Sequence, residues 1–215
     1  MRADKQRALL DGALRVFARD GYSRASITDL AAESGVSTRT IYNQYGDKES
    51  LFKAVILDSA TRVAELQIAT ADRLLGRIVE PEADLIAFGR HWSTTDPAVE
   101  THFAMVRQIN ADAAHIAPET LRAWRDAGPL RVRHAIAGQL RRHADAGMFV
   151  IDDAEIAALQ LIMLTAGSVQ ELPAVRGPGD PDTVIRAGVR TFLAAYAARP
   201  PGETQPSARS GAAAG

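Results

Sequence analysis

Residues 26–53 constrain the fold of this chain most, because they predict two short helices joined by a tight turn and followed by a third helix. Three residues are placed to cap the starts of these helices: Ser26, Ser37 and Asp47. Gly35 stands between the first two helices, where a chain reversal needs a residue that tolerates positive φ. This spacing is typical of a helix-turn-helix, whose second helix fits the major groove of DNA.

The second helix of this segment has a polar face that suits DNA. The same residues also fit an ordinary pair of packed helices, but no Asp or Glu lies between Ser34 and Gly46, and an acid-free surface suits phosphates. The side chains expected to read base edges are Thr38, Arg39, Asn43 and Gln44. Those expected to contact the DNA backbone are Ser26, Thr28, Thr40, Tyr42, Tyr45 and Lys48. A basic arm precedes the first helix and consists of Arg2, Lys5 and Arg7.

This part of the chain resembles the N-terminal domain of the TetR family of transcriptional regulators. The resemblance is carried by Gly21, Ser26, Leu30, Ala31, Gly35, Val36, Ser37, Tyr42, Tyr45, Lys48, Leu51 and Phe52, after a helix whose apolar face holds Leu9, Ala13, Val16 and Phe17. Tyr45 departs from the family pattern, which more often has Phe there. The resemblance implies a DNA-binding regulator that dimerises through its last two long helices and binds a small molecule in its body.

The rest of the chain also predicts helices, so the expected fold class is all-α. Beyond residue 53, Ala, Leu, Arg and Glu recur, and Val, Ile and Thr form no alternating runs. Helices are expected near 48–78, 82–94, 97–114, 118–146, 153–172 and 181–198, and we expect Gly128-Pro129 to kink or split the fourth of these. The predicted organisation is a three-helix helix-turn-helix head (1–53), a larger helical-bundle body (54–199) and a disordered tail (200–215).

The last two predicted helices carry more apolar surface than one protomer's core requires. In 153–172, one side holds Ile156, Leu159, Met163 and Ala166, and another holds Leu161, Leu164 and Gly167. Such a helix must be covered on more than one side. In 181–198, the small Gly188 allows close approach. Both helices could simply be core, but the resemblance favours a homodimer through them, and paired DNA half-sites require two-fold symmetry.

The middle helices contain the candidate effector site. Their aromatic and methionine side chains suit a small, mostly apolar ligand, although aromatic residues at helical spacing are also typical of a plain core. The candidate ligand contacts are Phe88, His91, Trp92, Phe103, Arg107, Trp124 and Met163.

The net charge of −1 does not by itself indicate a DNA-binding protein. Residues 1–53 hold 9 Lys and Arg against 7 Asp and Glu, whereas the rest of the chain holds 16 against 19. The small positive excess in the first segment predicts that phosphate contact is local and that two copies are needed for useful affinity.

Other classes of protein find little support in the sequence. The absence of cysteine excludes disulfides and thiolate metal sites, and the five histidines lack metal-ligand spacing. No catalytic motif or phosphate-binding glycine loop is present. We therefore expect no enzyme activity, no cofactor and no metal. The start of the chain resembles no secretory leader, and no apolar run reaches transmembrane length, so the expected location is cytoplasmic without a membrane partner.

Together these patterns predict a repressor that binds a palindromic, double-stranded DNA operator as a dimer. A small effector of unknown identity would release it from DNA. An activator or a ligand-independent regulator is the alternative, because neither the sign of the response nor its trigger follows from the residues.

Overall fold

The computed structural model describes residues 3–94, 96–171 and 179–198, which are built almost entirely from α-helices. In chain order these are α1 (Ala3–Arg24), α2 (Ile27–Glu33), α3 (Thr38–Tyr45), α4 (Lys48–Leu75), α5 (Pro81–Ser93), α6 (Glu100–Ala111), α7 (Pro118–Ala127), α8 (Pro129–Asp145), α9 (Ala154–Ile162) and α10 (Pro181–Tyr196). Within those ranges, extended pairing is limited to an isolated antiparallel bridge between Phe149 and Ala197. The predicted all-α fold is confirmed.

The three predicted helix caps of the head are all present. The hydroxyls of Ser26 and Ser37 each accept the backbone N–H three residues on, at 3.1 Å. The carboxylate of Asp47 accepts the corresponding N–H at 2.7 Å. Gly35 has a φ of 64°, as the turn between α2 and α3 requires. Local sequence signals therefore fix the starts of α2, α3 and α4.

Two breaks in the middle of the chain differ in kind. Gly128-Pro129 splits the predicted helix 118–146 into α7 and α8, as expected, and Pro129 starts α8. The predicted helix 97–114 is instead α6 with a 3-10 turn on either side, at Pro97–Val99 and Ala113–His115. None of the helices in the described parts of the chain is long and apolar enough to span a bilayer.

Buried side chains form two clusters. The first core cluster includes Leu9, Phe17, Leu51, Phe52, Met105, Ile109 and Trp124. The second core cluster includes Leu75, Phe88, Leu140, Leu161 and Phe192. Because the first cluster draws on α6 and α7 as well as α1–α4, and α4 is continuous from Lys48 to Leu75, the core does not end at residue 53. The division into a head and a body at that position stays a prediction, and the predicted tail, 200–215, lies outside the described residues.

Helix α9 has the two apolar sides that the sequence predicts. Leu161 and Ala166 are buried against the rest of the protomer, whereas Ile156, Leu159 and Met163 are 48, 40 and 52 % exposed. The exposed three follow helical spacing, so they form one continuous apolar strip, which we call the α9 strip. Ala166 belongs to the buried side rather than to this strip, because the backbone changes to a π turn at Met163–Gly167.

Candidate DNA interface

Helix α3 is anchored by one side chain and exposes most of the others. Ile41 is fully buried in the first core cluster, which fixes the rotation of α3 about its axis. All four predicted base readers are exposed on this helix: Thr38, Arg39, Asn43 and Gln44. Gly46 ends α3 with a φ of 81°. The result is a short helix with hydrogen-bonding side chains facing outward and no acidic residue among them, as a helix lying in the major groove requires.

The predicted backbone contacts fall into two groups. Ser26, Thr28 and Tyr42 are exposed. Thr40 and Tyr45 are half-buried: the Thr40 hydroxyl lies 2.9 Å from that of Ser37, and the Tyr45 hydroxyl hydrogen-bonds Gln6 of α1. Burial is the largest cause raising the pKa of Tyr45, so its ring also serves the packing of α3. Their contacts with DNA stay predictions.

Lys48 has a structural role that the sequence did not reveal. Its ammonium group donates to the carbonyl oxygens of Tyr22 and Ala25, at 2.9 and 3.1 Å. It also lies 4.7 Å from the centre of the Tyr22 ring, within the range of a cation–π contact. The side chain thus ties the start of α4 to the segment between α1 and α2. Any phosphate contact by Lys48 would come in addition to this clamp.

We expect Lys48→Met to lower the free energy of unfolding by about 2 kcal/mol, because it removes two charge-assisted hydrogen bonds to backbone carbonyls. Urea unfolding followed by circular dichroism measures the change. Lys53→Met is the matched control, since Lys53 is exposed on the same helix. Equal stability of the two variants would show that the clamp contributes nothing.

An open groove of about 670 Å³ runs beside the start of α3. Its lining brings together parts of α1, the α2–α3 turn and α3: Lys5, Ala8, Ser34, Gly35, Val36, Ser37, Thr40 and Gln44. Backbone N–H groups at a helix start, hydroxyls and a lysine are groups that favour phosphate. The sequence identified Lys5 only as part of a basic arm. Its position beside α3 follows from the packing of α1, which no local pattern indicates.

The seven candidate effector contacts do not come together in one site. The rings of Phe88 and Trp92 stack at 4.9 Å in or against the second core cluster, whereas Trp124 is buried in the first. Of the other four, His91 precedes Trp92 on α5, Phe103 and Arg107 lie one turn apart on α6, and Met163 follows α9. His91, Arg107 and Met163 are exposed, and Phe103 is half-buried. Which of them contact a ligand stays a prediction.

A buried polar pair joins α4 to α6. His102 Nδ1 lies 2.9 Å from the hydroxyl of Ser59, and Ser59 is almost fully buried. Burial is the main cause that lowers the pKa of His102 to about 4, and the positive charge of Arg62 adds to it. His102 is therefore uncharged at neutral pH. Ser59 was not singled out from the sequence, because a serine on an apolar helix face carries no distinguishing pattern.

Helix α6 also contacts the end of α1. The Asp112 carboxylate accepts the backbone N–H of Ser23 at 3.3 Å. Gly21, with a φ of 77°, leaves the space for it, since a Cβ there would lie 2.8 Å from Asp112 Oδ2. Two elements, α4 and α6, thus connect the DNA-facing helices to the remainder of the chain.

The fold and the exposed face of α3 define a helix-turn-helix DNA-binding protein. Comparison with known families gives the same result. The profile for bacterial regulatory proteins of the TetR family matches residues 9–55, and the profile for the C-terminal domain of AefR-like transcriptional repressors matches residues 84–198. The second match alone covers more than half of the chain. The protein belongs to the TetR family of transcriptional regulators.

Individual relatives agree with this assignment. The transcriptional repressor AcnR of Corynebacterium efficiens is 27 % identical over 172 residues, which are 79 % of this chain and 82 % of that protein. AcnR of Corynebacterium glutamicum is 33 % identical over 81 residues, 37 % of this chain and 43 % of that protein. A crystal structure of a TetR-family regulator from Mesorhizobium loti superposes with a TM-score of 0.76 at 26 % identity, covering 92 % of this chain and 99 % of that one.

Proposed function

We propose that this regulator is a repressor that binds a palindromic operator as a homodimer and leaves it when a small, mostly apolar effector binds the body. The observation that carries the proposal is the acid-free, exposed face of α3 on a protomer whose α9 strip is uncovered. The first feature suits DNA, and the second suits a second copy of the chain. Relatives that are named repressors support the sign of the response.

The operator would be read by two copies of α3. A two-fold dimer presents two recognition helices to successive major grooves, about 34–36 Å apart. In each, Arg39 suits guanine and Asn43 suits adenine, because their side chains can make paired hydrogen bonds to those base edges. Residues with hydroxyl groups around the start of α3 would fix the register on the phosphates.

Release from DNA would use the two connections between the body and α1–α3. Helix α4 starts with the clamp of Lys48 and continues without a break to Leu75, so a shift of its far end moves its start. Helix α6 reaches the end of α1 through Asp112. An effector that prefers the conformer with wrongly spaced α3 helices lowers operator affinity, and DNA lowers effector affinity by the same factor.

The DNA-reading role is tested by Arg39→Ala and Asn43→Ala on an operator selected from a random DNA library. We expect each variant to lose about 1–3 kcal/mol of binding free energy on that operator and to relax the preference at one base pair, with little change on unrelated DNA. Arg73→Ala is the control, because Arg73 is exposed near the opposite end of α4. Equal losses on selected and unrelated DNA would contradict the assignment.

The repressor role needs a separate measurement. In vitro transcription from a promoter that carries the selected operator should fall when the protein is added. A rise in transcript would identify an activator, with the same DNA contacts.

A further inference from the structure

Trp124 carries an unusual polar atom. Its side chain is only 7 % exposed, and among the described residues its indole Nε1 is the buried side-chain nitrogen or oxygen that lacks a hydrogen-bond partner. Buried donors in native proteins nearly always have an acceptor, because an unpaired one has lost its hydrogen bonds to water. The indole N–H can only donate. An acceptor for this position therefore has to come from outside the described chain.

The surroundings of Trp124 are apolar. It belongs to the first core cluster, with Met105 and Ile109 of α6, and with the partly buried Val106 and Leu121. One turn further along, Gly128 abuts α4 so closely that an added Cβ would lie 3.0 Å from the Cβ of Ala60. The position thus lies where α7 packs on α4.

The polar pair between α4 and α6 has no free hydrogen-bonding partner to offer in its Ser59–His102 contact. The Ser59 hydroxyl and His102 Nδ1 bond to each other, and burial keeps the pKa of His102 at about 4. Neither group supplies a charge at neutral pH. A charged ligand buried in the apolar first core cluster would lose its hydration, which is unfavourable unless an opposite charge is buried with it.

We propose that Trp124 Nε1 is the hydrogen-bond donor of the effector site, and that the effector is an uncharged, mostly apolar molecule with a carbonyl oxygen that accepts this bond. The assignment rests on the proposed effector-released function. It goes beyond it by naming the contact atom and the chemical class of the ligand. The apolar residues around the indole bury the rest of the molecule, and the N–H sets its orientation.

Matched pairs of ketone and hydrocarbon test the assignment without knowledge of the natural effector. Benzophenone and diphenylmethane have similar shapes and differ in a carbonyl against a methylene group, and 2-nonanone and nonane form a smaller pair. For at least one pair, isothermal titration should show the ketone binding about five- to tenfold more tightly than its hydrocarbon. The anionic 4-benzoylbenzoate should bind less tightly than benzophenone.

The wild-type protein also gives a direct signal. With ¹⁵N-labelled tryptophan the chain has two indole N–H resonances, because it contains two tryptophans. Ketone binding should move the proton resonance of Trp124 downfield, as a new hydrogen bond does, and diphenylmethane should not. Trp124→Phe keeps an aromatic ring and removes the donor. It should bind both members of a pair with equal affinity, since the donor is gone.

Three results would each overturn the assignment. They are no binding by any ketone, equal binding of ketone and hydrocarbon by the wild type, and a ketone preference that survives in Trp124→Phe. The resonance shift is measured on the wild-type protein. It therefore tests the assignment even if Trp124→Phe folds poorly. Operator binding is measured separately, without any ketone or hydrocarbon. A protein that does not bind operator in that titration would contradict the proposed function and would leave the Trp124 assignment untouched.

Discussion

Replacing Leu159 by Glu should convert the protein to a monomer and weaken operator binding about a hundredfold or more, because one recognition helix would then bind without its partner. Leu159 lies in the middle of the α9 strip, between Ile156 and Met163. In the proposed two-fold dimer, the introduced carboxylate faces its own copy in a poorly solvated interface, which is unfavourable. Sedimentation equilibrium and operator titration measure the two effects.

Folding of the Leu159→Glu protomer should survive, because Leu159 is 40 % exposed in the isolated chain. Leu66→Glu is the matched control: Leu66 is also a large exposed apolar residue, on α4, and its substitution should leave dimer and DNA binding unchanged. A Leu159→Glu protein that still sediments as a dimer would move the interface away from the α9 strip. The same substitution at Phe192, which is fully buried, would unfold the protomer and say nothing about assembly.

The contrast between Leu159 and Phe192 shows where sequence-based prediction ends for the last two helices. Their apolar residues recur on more than one side, so the sequence predicts burial on more than one side. It does not say which side meets the protomer's own core. The side that is buried in the protomer is determined by α5 and α8. These helices pack against α9 and α10 although they are distant in sequence.

Predictions for the first helices succeed because their signals are local. Capping by Ser26, Ser37 and Asp47 depends on residues three positions apart. The burial of Ile41 then decides which side chains of α3 face outward. Within such a short helix, spacing alone fixes the geometry, and the exposure of the four base readers follows from it.

Contacts made over long sequence distances could not be predicted, because no local pattern indicates them. Lys48 is a basic residue at a helix start, and this pattern suggests a phosphate contact. Its hydrogen bonds to the carbonyls of Tyr22 and Ala25 depend instead on how α4 crosses the end of α1. Likewise, Phe88 and Trp124 are both buried aromatics, yet they belong to different core clusters. Composition groups such residues together, whereas only the packing of the helices separates them.

Gly188→Ala should lower the free energy of unfolding by about 4 kcal/mol or more. A Cβ at Gly188 would lie 1.8 Å from the carbonyl oxygen of Leu164 and 2.6 Å from its carbonyl carbon. Both are backbone atoms, so no side chain can rotate away. The π turn at Met163–Gly167 brings this carbonyl against α10, and α10 would have to move as a unit to admit a methyl group. Urea unfolding measures the loss.

Helix propensity alone predicts the opposite result, a gain in stability for Gly188→Ala, so a loss would have to come from the close contact. In the interior of an exposed helix, alanine is more favourable than glycine by about 0.8–1 kcal/mol. Gly138→Ala on α8 is the matched control: it is helical, and a Cβ there meets no atom within 4 Å, so it should stabilise the protein. If Gly188→Ala proves as stable as Gly138→Ala, α10 does not approach the π turn this closely. If it is strongly destabilised, the apolar pattern around Gly188 reflects a packing requirement within the protomer.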